Sequence, residues 1–222
     1  MKRLSIVLVL IFQYFFSSSQ GSGEIIRFES ANPFSFNDII DNLENQKSQE
    51  VFGQLIFPED SAHMNKKYPL IIGVAGSLGW ADHHFDYMKM YRDMGIATFE
   101  LNSFQSRDVT STVGTQVEVT TASMILDAYR AFEKLSEHPR IDSDRVSITG
   151  WSHGGGVTLF SAWLPLKNAI NKKLKFNSHL EYYPPCFIEP RNLEFTDSKI
   201  HILIGGLDLS LIHISEPTRH AS

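Results

Sequence analysis

From residue 51 onward, short apolar runs alternate with stretches whose apolar side chains return every three or four positions. Residues 51–57 alternate as a half-buried strand does, and residues 58–67 are a polar loop. Tyr68–Val74 is continuously apolar and runs into Ala75, Gly76, Ser77, Leu78 and Gly79, the pattern of a strand buried on both faces that opens into a glycine-containing loop. Residues 85–94 have helical spacing with Gly95 placed as a C-terminal cap, and 96–101 return as a strand. From Gln116, the residues Ala122, Ile125, Tyr129, Phe132 and Leu135 share one helical face, and Pro139 ends that helix. Residues 146–149 predict a brief strand, 154–164 a helix stopped by Pro165, and 174–183 and 199–204 two more strands. Residues 24–49 show little periodicity and predict no element. Strand and helix alternate throughout, so the fold class is α/β: a mostly parallel sheet with helices on both faces.

The N-terminus has a different character. Lys2 and Arg3 precede an apolar run over residues 4–16, followed by Ser17, Ser18 and Ser19. The run is short of the ~20 residues a spanning helix needs, and small residues after it suit signal peptidase. Residues 1–19 therefore read as a signal peptide and the protein as exported, periplasmic or secreted, with no stable membrane insertion after cleavage. Residues 20–50 form a segment of unclear structure, 51–208 the folded domain and 209–222 a tail. The composition, 42% hydrophobic and 20% charged over 222 residues, is that of a globular chain. A net charge of −5 without a basic stripe gives no support to nucleic acid as a partner. Cys186 is the one cysteine, so no intramolecular disulfide can form.

The chemistry-bearing motif is Gly150-Trp151-Ser152-His153-Gly154, a G-x-S-x-G placed between a buried strand and a helix. That setting holds a serine hydroxyl above the sheet in a tight turn and aims the first amides of the helix at charge developing on a bound carbonyl. An activated serine also needs a base and a group to orient it. His153 adjoins Ser152, but on such a turn its side chain diverges from the hydroxyl. His83 and His84, beside Asp82, are expected to point apart, and no second cluster has ligand spacing, so neither a metal nor a cofactor is expected. His179 and His201 fall in strands as core or edge residues. The backbone N–H of His153 is the expected first oxyanion donor.

The run from Arg140 to Gly155 resembles the elbow region of the dienelactone hydrolase-like group of α/β-hydrolases. Asn102, Ser103, Phe104 and Arg107 are similar to that group's D-S-F-x-x-R-G stretch, Asp127, Ala128 and Tyr129 to its helix, and Tyr183, Pro184, Pro185 and Cys186 to its Y-P-x-C turn. The resemblance covers about residues 51–208. It implies the α/β-hydrolase fold, here lacking its final strand and helix, and a chain order of nucleophile, acid, histidine. Ile202, Leu203 and Ile204 lead through Gly205, Gly206 and Leu207 into Asp208, which matches the acid segment; the other reading of Asp208 is a turn cap. By the same resemblance the second oxyanion donor is Ser77, with Gly76 the neighbouring candidate. Residues 209–219 resemble the translation of a transposon-end sequencing adapter, which would put the catalytic histidine, and any partner for Cys186, beyond the natural sequence that ends here at Asp208. The competing reading is a real terminal strand carrying His213 or His220 as base. The activity implied is hydrolysis of a small-molecule carboxylic ester through an acyl-serine. Serine in place of the group's namesake cysteine speaks against dienelactone itself as substrate. The alternatives are a serine peptidase acting on short peptides and a non-catalytic binding protein on the same scaffold. Oligomeric state is left open.

Overall fold

In the computed structural model the described residues are 23–59, 66–115, 117–185 and 190–205; residues 1–19, read above as a signal peptide, Cys186, Asp208 and residues 209–222 lie outside them. The apolar runs become strands of one sheet: β1 (Glu24–Ala31), β2 (Ser48–Ile56), β3 (Tyr68–Val74), β4 (Ala97–Leu101), β5 (Ile141–Trp151), β6 (Ser178–Tyr182) and β7 (Lys199–Leu203). Their order is β1-β2-β4-β3-β5-β6-β7. The pairings β1/β2 and β2/β4 are antiparallel and the remaining four are parallel, so the sheet is mostly parallel as the alternation predicts.

Helices cover both faces. On one side α2 (Asp82–Asp93) buries Met88 and Tyr91 against Ile71 and Trp151. On the other, α1 (Phe36–Asn42), α3 (Thr121–Ser136), α4 (His153–Ser161) and α5 (Leu164–Ile170) enclose the larger core. Helix α3 carries the predicted stripe: Ala122, Ile125, Tyr129, Phe132 and Leu135 are all buried. Its start is set by a reciprocal cap, in which Ser123 N donates to Thr120 Oγ1 at 3.0 Å and Thr120 N donates to Ser123 Oγ at 3.0 Å. Gly95, at φ 83°, closes α2 in the left-handed conformation expected of it.

Three differences from the sequence reading have local causes. Residues 24–49 supply β1 and α1; the strand pairs along its whole length with β2, from Glu24 opposite Leu55 to Ala31 opposite Ser48, so its placement comes from a partner strand rather than from its own periodicity. Pro165 lies in the first turn of α5, where proline is tolerated, so it opens a helix instead of only ending one. Strand β5 begins at Ile141, five residues before its predicted start, because Tyr68 N donates to the Arg140 carbonyl at 2.8 Å and carries the β3 pairing past a register shift.

A buried ion pair fastens β1 to the far side of the sheet. Asp127 on α3 is fully buried and accepts from Arg107 Nη1 at 2.8 Å, Arg107 Nη2 at 3.0 Å and the Ser30 hydroxyl at 2.5 Å. Arg107, in the short turn 105–107 after β4, also donates to the Asn32 side chain and the carbonyls of Ala31 and Ser103. At the other end of the sheet, β7 has no strand on its outer side among the described residues, and Ile202 and Leu203 are each 47% exposed. Removing one partner of a buried pair strands the other charge, so Asp127→Ala should lose about 3–5 kcal/mol in urea unfolding, and the double variant Arg107→Met/Asp127→Leu distinctly less.

Candidate active site

Ser152 stands at the junction of β5 and α4 with φ 53° and ψ −118°, a conformation that ordinary residues avoid. The glycines two residues either side make this turn possible. A Cβ on Gly150 would lie 2.1 Å from the Gly154 carbonyl oxygen, and a Cβ on Gly154 would lie 2.2 Å from the Val74 carbonyl oxygen and 2.5 Å from that of Ala75. The elbow is thus pressed against the end of β3 at a separation no side chain fits. On the other side, Ser152 N donates to the Tyr182 carbonyl at 2.9 Å, which ties the turn to β6.

The place matters as much as the shape. The chain leaves β3 for β4 on one side and returns to β5 on the other, so the C-terminal ends of β3 and β5 flank the point where the winding reverses. Crevices for ligands form at such points. The Ser152 side chain makes no hydrogen bond among the described residues and is partly exposed there. The N–H of His153 is the first of α4 and has no acceptor within the helix. The loop after β3 turns back through Gly79 N donating to the Gly76 carbonyl at 2.9 Å, and the Ser77 carbonyl accepts from Thr112 N at 2.8 Å. Position β on Gly76 would be 3.5 Å from Ser152 Cβ, so this loop and the serine are neighbours. Ser152, the His153 amide and the Ser77 loop are therefore brought together; Asp208 lies outside the described residues.

A family model for acetyl xylan esterase (AXE1) matches residues 118–184, which include the elbow. A search of curated protein sequences finds no significant match. Among solved structures, one described as m3DLH is 15% identical with a TM-score of 0.52, over 77% of this chain and 63% of its own. DcsB in complex with its substrate analogue is 15% identical with a TM-score of 0.51, over 77% of this chain and 48% of its own. A dienelactone hydrolase-like promiscuous phosphotriesterase from metagenomic libraries is 16% identical with a TM-score of 0.45, over 64% of this chain and 54% of its own. The chain spans about half to two-thirds of the length of these structures. The chain has the α/β-hydrolase fold.

Within this hydrolase fold the described histidines are otherwise engaged. His153 is buried, its Nε2 2.9 Å from Thr121 Oγ1 on α3, and burial lowers its pKa to about 4. Its ring faces α3, and no hydrogen bond joins it to the Ser152 hydroxyl. His84 Nδ1 accepts from Ala81 N at 3.1 Å, and burial, then the neighbouring His83, holds its pKa at about 4. His83 and His84 do not point apart as the sequence suggested: their rings meet edge to face at 4.0 Å, because His84 folds back to cap α2 and lies 4.6 Å from the Trp151 ring. His179 is buried in β6 beside Ser161 and Thr158, whereas His201 is exposed on β7. No group of three or more metal-ligating side chains occurs among the described residues, and no helix among them is long and apolar enough to cross a membrane.

Two residues given no role in the site by the sequence stand beside it, although Tyr183 opens the turn that resembles Y-P-x-C. Tyr183, next to the carbonyl that holds the elbow, has φ 41°, and its hydroxyl lies 3.3 Å from His83 Nε2. Glu181 pairs with Gly150 across β5/β6, is fully buried, and neither carboxylate oxygen has a hydrogen-bond partner among the described residues. Burial pushes its pKa up to about 8. The folded chain therefore holds the Glu181 proton to higher pH than the unfolded chain does; the stability this contributes is full below about pH 4.5 and lost as pH rises through about 8. Glu181→Gln should flatten that loss, seen as a smaller drop in urea midpoint between pH 6 and pH 9 (~3 units apart) than in the parent. The strain at the elbow gives a second outcome: Ser152→Gly should be more stable than Ser152→Ala by about 1–3 kcal/mol, since only glycine is at ease with that φ.

Proposed function

We propose that this chain supplies the nucleophile and oxyanion site of an exported serine hydrolase acting on carboxylic esters. The observation that carries the reading is the backbone of Ser152, held at φ 53° between a strand and a helix N-terminus, with its side chain making no hydrogen bond among the described residues. The match of residues 118–184 to an acetyl xylan esterase family model supports an acyl ester as the substrate class. The N-terminal charge and hydropathy pattern supports export.

On this reading Ser152 Oγ attacks the ester carbonyl while its proton passes to a histidine oriented by Asp208. The carbonyl electron pair moves onto oxygen, where the amides of His153 and Ser77 receive it; each such donor is worth about 10²–10³ in rate. Collapse of the tetrahedral species expels the alcohol with the proton from the histidine, leaving an acyl-serine that water cleaves by the same steps. None of the described histidines fills the role of base: His153 is held by Thr121 and His84 by its own helix cap.

A fluorophosphonate probe should label Ser152 in the 222-residue chain slowly, at the rate the oxyanion site alone supports, and leave Ser152→Ala unlabelled. Esterase turnover of the same chain should be weak and unchanged by His213→Ala or His220→Ala, as a serine without its base retains only what the oxyanion site provides. Strong turnover abolished by His213→Ala would place the base in the tail instead, and absence of labelling would remove the nucleophile.

A further inference from the structure

Beside the elbow, on the side away from β6, lies a cavity of about 220 Å³ between the ends of β3 and β4. Its walls are mainly apolar, from Leu78 and Trp80 on the loop after β3, Phe104 and Val109 after β4, and Met124 on α3. Ser152 is not part of its wall. The two are joined through Ala75, which lines the cavity and whose carbonyl oxygen packs on Gly154 of the elbow. Cavity and serine thus lie on either side of the end of β3, and Ser77 lies on the loop that runs from there to Leu78 in the cavity wall.

The direction of the cavity decides which half of an ester it receives. Asp208 follows β7, so on the functional reading above, on which this inference rests, proton transfer to the leaving alcohol takes place on the β6/β7 side. The acyl group then extends the opposite way, over the loop after β3 and into the β3/β4 cavity. Its size sets a length. An apolar cavity of about 150 Å³ holds a benzene ring, so this one has room for an acyl group of roughly six carbons and is far from filled by acetyl. We propose that the β3/β4 cavity is the acyl pocket and that it selects medium-length apolar acyl groups over acetyl. Trp80 is fixed as one wall by its Nε1 donating to the Leu101 carbonyl at 3.0 Å and by stacking on Phe85 with ring centroids 5.4 Å apart.

The test uses fluorophosphonates bearing a methyl or a hexyl group on phosphorus, which occupies the acyl position as Ser152 Oγ displaces fluoride. Each methylene buried is worth about fourfold, so burial of only two of the extra methylenes makes the hexyl probe label about tenfold faster, and deeper burial raises the ratio further. Val109→Phe, which fills the cavity, and Thr110→Trp, at its rim, should bring the ratio to about one, with the urea-unfolding midpoint of each variant reporting an intact fold. Methyl labelling with a parental ratio near one overturns the acyl pocket and leaves the nucleophile standing. If neither probe labels, the nucleophile reading fails and the cavity is judged by 1-hexanol alone. A saturable change in tryptophan fluorescence, lost in Trp80→Phe and Val109→Phe, supports an apolar-chain pocket; no change overturns it.

Discussion

The site depends on one close approach. Gly154 brings the first turn of α4 so near the end of β3 that the Val74 and Ala75 carbonyl oxygens occupy the space of a Cβ, and Gly150 does the same against Gly154 itself. Because α4 cannot move away without opening the sheet between β3 and β5, the intervening Ser152 has no relaxed conformation to adopt. Its φ is the consequence of packing on both sides, with the Tyr182 carbonyl as the third fixed point. A chain held this way presents a hydroxyl and a set of amides before any ligand arrives, so little reorganisation is left for the reacting complex.

The layers around that contact are less uniform. Strand β3 and the C-terminal half of β5 are almost wholly buried and fix the elbow's neighbours, while β1 and β2 run antiparallel and β1 is fastened to α3 and the turn after β4 by Asp127 and Arg107. The pair joins the turn after β4, α3 and β1, and the first two of these also supply walls of the β3/β4 cavity. Trp151 plays the corresponding part on the other face, stacked on Tyr182 with ring planes 9° apart and against His84.

The strands that were legible in the sequence are those whose burial leaves a local pattern. Tyr68–Val74 is apolar throughout because both faces are covered, and α3 shows its stripe because one face is. Strand β1 has the pattern Glu24, Ile25, Ile26, Arg27, Phe28, and its placement comes from a partner strand and from Arg107 far along the chain, so nothing local announces it. The elbow was legible since its glycines are demanded by sterics at fixed spacing. The placement of His84 and the burial of Glu181 were not, because each depends on what another element brings to it: Trp151 for one, the covering of β6 for the other. Asp208 falls outside the described residues, and its role rests on the order of elements alone.

The exposed flank of β7 has a consequence for handling the protein. Its outer row of peptide groups, bordered by Ile202 and Leu203, is a ready template for another extended segment. Among the described residues that edge is open, so concentrated solutions of this chain should accumulate edge-to-edge oligomers, and a charged residue introduced at Ile202 would act as a gatekeeper against that growth.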